Sequence, residues 1–227
     1  MIIQYIPPQH NQTVRKASYR LNRLFGLIVF FFFLFSFLGC TKYEIKNIHS
    51  RGEDIICFGN SITAGSGASK DESYPGLLSK LLGYPIINAG KSGDSSSDGL
   101  RRLERDVLIY QPRVVIIEFG GNDFLRKLSL SQAIDNIQIM TEKIQAKGAM
   151  VAIVDISSGM IMGGYRKGYK KLARQMQAIF IPNLLEGIIN NPSLRSDHIH
   201  PNAEGYKIIA ERIYKVIKPY LEENKLE

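Results

Sequence analysis

Cysteine is scarce in this sequence: 227 residues contain two, Cys40 and Cys57. Cys57 lies in the apolar run Ile55-Ile56-Cys57-Phe58 and reads as a small hydrophobe in a buried strand, so no disulfide is expected. Acidic residues are absent from positions 1–39, which hold four basic ones (Arg15, Lys16, Arg20, Arg23) and seven of the eleven phenylalanines. Setting that segment aside takes the net charge from +8 to +4 and leaves 188 residues. So small a charge does not argue for a nucleic-acid partner, no basic stripe interleaved with aromatics is present, and no nucleic acid is expected. Repeats and low-complexity stretches are absent after Cys40. The length suits one mid-sized domain rather than two.

Long apolar runs are also lacking. The longest, from Leu24 to Gly39, has 16 residues, short of the roughly 20 that a membrane-spanning helix needs. It follows a basic stretch, as the apolar region of a secretory signal does. It ends in Phe37-Leu38-Gly39-Cys40, which resembles a bacterial lipobox with Phe37 where Leu is usual. The resemblance implies lipid modification of Cys40 and a membrane-anchored lipoprotein of the bacterial cell envelope. An uncleaved N-terminal anchor helix is the alternative, and in either case the domain is exported and tethered. The expected organisation is a signal peptide over 1–39, a tether over 40–53 and a single folded domain over 54–227. The polar stretch Thr41 to Glu53 would reach roughly 40 Å if fully extended.

What is present after Asp54 alternates short apolar runs with helix-period segments. Strands are predicted at Ile55–Phe58, Ile86–Ala89, Val114–Phe119 and Met150–Ile156, with a short last one at Ile181–Leu185. Helices are predicted at Tyr74–Leu82, with Leu77, Leu78, Leu81 and Leu82 on one face, and at Ser96–Tyr110, with Leu100, Leu103 and Val107 inward. Three more are predicted: Leu130–Ala146; Tyr165–Ile179, with a Lys/Arg-rich outer face; and Asn202–Leu221, with Tyr206, Ile209, Ile213 and Ile217 buried. Strands apolar on both faces and separated by helices imply a parallel sheet covered on both sides. Ligands bind such sheets beyond the carboxyl ends of the strands.

The residues with chemistry fall there. Gly59-Asn60-Ser61 follows the first strand, where a strand-to-helix turn presents a hydroxyl beside N–H groups that favour negative charge. Gly90-Lys91-Ser92-Gly93 follows the second, and its glycines let the backbone approach a ligand. Gly120-Gly121-Asn122-Asp123 follows the third. The Asn122 amide can donate to a developing oxyanion, and Asp123 is expected to fix its own turn. Ser95, Ser96 and Ser97 read as capping and loop hydroxyls. Asp197-His198-Ile199-His200-Pro201 precedes the last helix, and a carboxylate three residues before a histidine can reach its Nδ1–H and leave Nε2 for a serine proton. His198 and His200 beside Asp197 could instead ligate metal, but no third His or Cys cluster appears and no metal is expected. Met160 and Met162 either line an acyl pocket or belong to a half-buried loop.

Taken in order, these four blocks resemble the SGNH (or GDSL) hydrolase superfamily, close to its thioesterase I/lysophospholipase and arylesterase branch. The signature residues fall on Ser61, Gly93, Asn122 and His200, and the likeness runs from about Ile55 to Leu221. It departs at Asn60 and Ile62, where the family motif has Asp and Leu, and at His198, often Gly. The resemblance implies a flavodoxin-like three-layer α/β/α sandwich with a central parallel sheet. It implies a catalytic triad of Ser61, His200 and Asp197, and an oxyanion hole formed by the backbone N–H groups of Ser61 and Gly93 and the side-chain amide of Asn122. The expected activity is hydrolysis of small or lipid-like acyl esters or thioesters, without a cofactor. An O-acetyl esterase acting on polysaccharide or peptidoglycan is the alternative within the superfamily, and a non-catalytic tethered binding protein the alternative outside it. The membrane, through a lipid anchor, is the other expected partner.

Overall fold

Runs of β-branched residues such as Val114-Val115-Ile116-Ile117 are too short for a stable helix and pack well on a pleated surface. They form a five-stranded sheet: β1 (Asp54–Gly59), β2 (Ile86–Gly90), β3 (Pro112–Glu118), β4 (Met150–Val154) and β5 (Ile179–Ile181). The structure, a computed structural model, describes Gln4, residues 43–157 and residues 162–223. Every strand pairing is parallel, in the order β2-β1-β3-β4-β5. β1 and β4 are buried almost throughout, as strands covered on both faces must be, while edge strand β2 is only half-buried.

The helices are α1 (Ser61–Ala64), α2 (Tyr74–Leu82), α3 (Ser96–Leu103), α4 (Gly121–Leu125), α5 (Leu130–Ala146), α6 (Gly163–Gln175) and α7 (Ala203–Glu223). α2 packs on α7, whereas α3 packs on α5 and α5 on α6, which gives a helical layer on each side of the sheet. This is the expected flavodoxin-like sandwich. Register then sets the site. Gly59 lies level with Gly90 on one side and Glu118 on the other. The turns that follow these three residues therefore emerge side by side at one edge.

Several boundaries differ from the sequence-based expectation. The helix expected to run to Ile179 stops at Gln175, and Ile179 opens β5. Gln177 takes a φ of 52°, in the left-handed region, which ends the helix before the apolar run Ile179-Phe180-Ile181. The helix expected over Ser96–Tyr110 is α-helical only to Leu103 and continues as a π-helical turn over Glu104–Leu108. On α2, Tyr74, Pro75 and Leu78 share the buried side, while Leu81 is 43% exposed. On α7 the predicted stripe of Tyr206, Ile209, Ile213 and Ile217 is fully buried.

The stretch expected to be a tether is docked over much of its length. Ile45 and Ile48 are buried, and the Asn47 amide donates to the carbonyls of Gln145 and Ala149, both at 2.9 Å. The compact unit starts at Glu44. The expectations for the leader and for Cys40 and Met160 fall outside the described residues. Among the described residues, no helix is long and apolar enough to cross a membrane.

Candidate active site

The turn after β1 is built to a tight tolerance. A Cβ on Gly59 would lie 2.2 Å from Thr63 Oγ1 and 2.5 Å from the Glu118 carbonyl oxygen, so no other residue fits. Asn60 caps α1, its Oδ1 accepting from the Ile62 N–H at 3.0 Å. Ser61 is thereby the first helical residue, partly exposed at the open end of the sheet.

Ser61 meets residues from the far end of the chain. His200 Nε2 lies 3.0 Å from Ser61 Oγ, and His200 Nδ1 lies 2.7 Å from Asp197 Oδ2. The other carboxylate oxygen, Asp197 Oδ1, accepts from the N–H groups of Ile199 and His200, both at 2.8 Å. The hydrogen bond from His200 and those backbone donors hold the Asp197 carboxyl down at about 2. The loop closes on itself, with the Ser196 N–H donating to the His200 carbonyl at 2.9 Å and Arg195 bridged to Pro201. His198 points to solvent, and its neighbour Ile199 lines the pocket instead.

The remaining predicted residues converge on the same edge. Gly93 sits at φ +85°, a left-handed conformation that suits glycine, and its carbonyl accepts from Arg126 at 2.7 Å. Among the described residues, the backbone N–H groups of Ser61 and Gly93 donate to no other group. Asn122, the second residue of α4, donates one amide hydrogen to the Asp94 carbonyl at 2.9 Å, leaving the other for a ligand. Asp123 accepts from the N–H and the hydroxyl of Ser96, at 2.9 and 2.6 Å. Rather than bonding within its own turn, as expected from the sequence, its carboxylate ties the start of α4 to the start of α3, 27 residues away. Ser95 caps α3 through a capping box with Asp98.

Two residues of the site escaped the sequence reading. Glu118, at the end of β3, is buried behind the serine turn. Its Oε1 accepts from Asn60 Nδ2 at 2.9 Å, and its Oε2 accepts from the Asn60 N–H at 3.2 Å and from Thr63 Oγ1 at 2.9 Å. Burial pushes its carboxyl up to about 7 against the pull of those donors. Arg102 is also buried. It donates to Asp94 Oδ2 at 2.6 Å, to the carbonyls of Ala89 and Gly59 at 2.8 Å, and to Asp106 Oδ2 at 2.9 Å. It thus ties together the ends of β1 and β2 and the loop bearing Gly93. A charge inside the run Val114–Phe119 was the available signal for Glu118; nothing comparable marked Arg102.

The cavity beside Ser61 and His200 holds about 260 Å³. Asn60, Glu118 and Asn122 lie at its polar end, and Phe124, Leu125, Ile156, Leu185, Ile189 and Met162 supply an apolar wall. The thiol of Cys57 takes no part: it is fully buried, and desolvation raises it to about 12.

Comparison with known proteins agrees with this arrangement. Residues 57–208 match the model of the GDSL-like lipase/acylhydrolase family. Esterase TesA of Pseudomonas aeruginosa is 29% identical over 194 residues, covering 81% of this chain and 96% of that protein. Thioesterase 1/protease 1/lysophospholipase L1 of Escherichia coli is 29% identical over 175 residues, covering 74% and 84%. A crystal structure of TesA superposes with a TM-score of 0.70 at 30% identity, covering 74% of this chain and 99% of that one. With a parallel α/β/α sandwich and a family model spanning most of the domain, the chain belongs to the GDSL-like lipase/acylhydrolase family and is a serine ester hydrolase.

Proposed function

We propose that Ser61 is the nucleophile, with His200 as general base and then general acid and Asp197 as the group that orients the imidazole. The observation that carries this reading is the unbroken chain from Asp197 Oδ2 through His200 to Ser61 Oγ, with steps of 2.7 and 3.0 Å. In the first half-reaction, Ser61 Oγ bonds to the acyl carbon as its proton passes to His200 Nε2. The tetrahedral oxyanion is held by the N–H groups of Ser61 and Gly93 and the free amide hydrogen of Asn122. The alcohol or thiol leaves with the proton from His200. Water then attacks the acyl-enzyme with His200 again as base, releasing the acid and restoring the serine.

The substrate is a small or lipid-like acyl ester. The apolar wall beside Ser61 supports this, since a hydrocarbon chain leaving water for such a wall gains about 0.8 kcal/mol per buried CH₂. The chain is exported and held at the membrane of the bacterial cell envelope through lipid on Cys40, a reading supported by the basic stretch, the apolar run and the lipobox-like Phe37-Leu38-Gly39-Cys40. The test is hydrolysis of nitrophenyl esters of increasing acyl length by the purified protein, with fluorophosphonate labelling. Activity and labelling that vanish together in Ser61→Ala are expected. Equal rates in variant and parent would end the assignment. Palmitate incorporation that survives Cys40→Ser would refute the lipid anchor.

A further inference from the structure

The outer face of α6 takes no part in this chemistry. The helix carries five basic residues and no acidic one. Arg166 pairs with the buried carboxylate of Asp155 at 2.9 Å. The other four, Lys167, Lys170, Lys171 and Arg174, are exposed and form no ion pair with any described residue. Their spacing of i, i+3, i+4 and i+7 puts them on one face, a stripe about 10 Å long. Like charges so spaced repel and weaken a helix. The buried side of α6, formed by Tyr165, Tyr169, Leu172 and Ala173, gives no reason for cations outside.

The two ends of α6 narrow the choice of partner. At its C-terminal end, the Lys46 N–H donates to the carbonyl of Gln177 at 2.9 Å, so the chain enters the domain beside the stripe. Lys46 is itself exposed. From Glu44 back to Cys40 the backbone spans at most roughly 13 Å. At the other end, Met162 immediately precedes the helix and lines the apolar cavity.

We propose that the exposed face of α6 docks on the anionic lipid headgroups of the membrane that holds the chain. The proposal rests on the envelope anchoring argued above. A leash of that length holds the near end of the stripe close to the headgroups, and each cation that comes within about a Debye length, roughly 10 Å, strengthens attraction to an anionic surface about five-fold. A headgroup plane satisfies all four cations together. Docking there lays α6 along the surface, with the Met162 end of the cavity facing the interface.

The test uses the full-length protein reconstituted into vesicles of phosphatidylcholine alone or mixed with phosphatidylglycerol. Lysines are acylated with a membrane-impermeant reagent and quantified by peptide mass spectrometry. Lys80 and Lys215, exposed on the opposite helical layer, serve as references. Labelling of Lys167, Lys170 and Lys171 is expected to slow several-fold on the anionic vesicles, and the protection is expected to disappear at high salt. In the variant Lys167→Gln/Lys170→Gln, docking should weaken roughly 25-fold and the remaining reporter, Lys171, should label as it does on phosphatidylcholine. Sedimentation with both vesicles but equal stripe labelling on each would overturn the docking and leave the anchor standing. Failure to sediment with either vesicle would remove the anchor, and the docking with it. Hydrolysis of a soluble ester by the same samples reports on the catalytic reading independently.

Discussion

Asn60 and Glu118 are joined by a hydrogen bond of fixed polarity. Oδ1 of Asn60 is taken by the Ile62 N–H, so the atom that faces Glu118 Oε1, at 2.9 Å, must be the Nδ2 donor. Glu118 in turn accepts from the Asn60 N–H and Thr63 Oγ1. The residues on both sides of Ser61 are therefore fastened to one carboxylate. Among the described residues, the hydrogen bonds of Glu118 go to these neighbours and not to Ser61, which makes Glu118 a positioning residue in the proposed mechanism.

Replacing Glu118 with Gln sets an amide against donors on both sides, and no flip of the Gln satisfies them all. A fall in kcat of about 10- to 100-fold is expected, with KM little changed, as when an interaction serves only the transition state. The double variant Asn60→Asp/Glu118→Gln reverses the polarity, since the carboxylate introduced at position 60 then accepts from the amide introduced at position 118. It should recover most of the lost kcat. Steady-state kinetics on a soluble ester, with circular dichroism as a fold control, makes the check; a double variant no better than the single one would count against positioning.

Glu118 also gives stability a pH dependence of known sign. Its folded-state value of about 7 lies above the ordinary 4.5, so between these pH values the native state binds more protons than the unfolded one. The contribution is fully present below about 4.5 and is lost as pH rises through about 7, amounting to at most about 3 kcal/mol. Urea midpoints measured across this window should fall with pH in the parent relative to Glu118→Gln. Parallel curves would show that the carboxyl is ionised in both states.

In the proposed mechanism the Asn122 amide donates to the oxyanion, and removing it isolates its share of the chemistry. Asn122→Ala should lower kcat by about 10²- to 10³-fold. Its loss also frees the Asp94 carbonyl, which is part of the loop bearing Gly93, so Asn122→Asp makes a useful companion. A carboxylate there keeps the size of the side chain but brings negative charge to the oxyanion, and should be at least as poor as Ala. Acylation rates from a stopped-flow burst would measure both.

Arg102 is the chief support of the loop bearing Gly93. Arg102→Met keeps much of the packing over Phe58, where the guanidinium sits 4.5 Å from the ring. It leaves Asp94, 6% exposed, without its cation. A loss of about 3–5 kcal/mol of stability is expected, measured by urea denaturation.

Much of this was legible in the sequence for a physical reason. Strands buried on both faces must be apolar, and turns that bear function need Gly, Asn and Ser, so β1, β3 and β4 and the blocks holding Ser61, Gly93 and Asn122 announce themselves. Asp197 and His200 are three residues apart, and their pairing is local. Glu118 and Arg102 were not legible because their roles depend on partners up to 58 residues away. The docking of Asn47 on the end of α5 was hidden for the same reason: a short polar stretch looks the same whether it is solvated or pinned.

The loop from Arg195 to Pro201 bonds to itself, and it carries both Asp197 and His200. Asp197 needs no burial to keep its place, although its side chain is 53% exposed. The proposed base and its orienting carboxylate therefore sit on one self-bonded loop. A displacement of the loop would change the distance from imidazole to hydroxyl while leaving the imidazole–carboxylate pair intact. In the proposed mechanism, mutations elsewhere in the fold would then misalign Ser61 and His200 without separating His200 from Asp197.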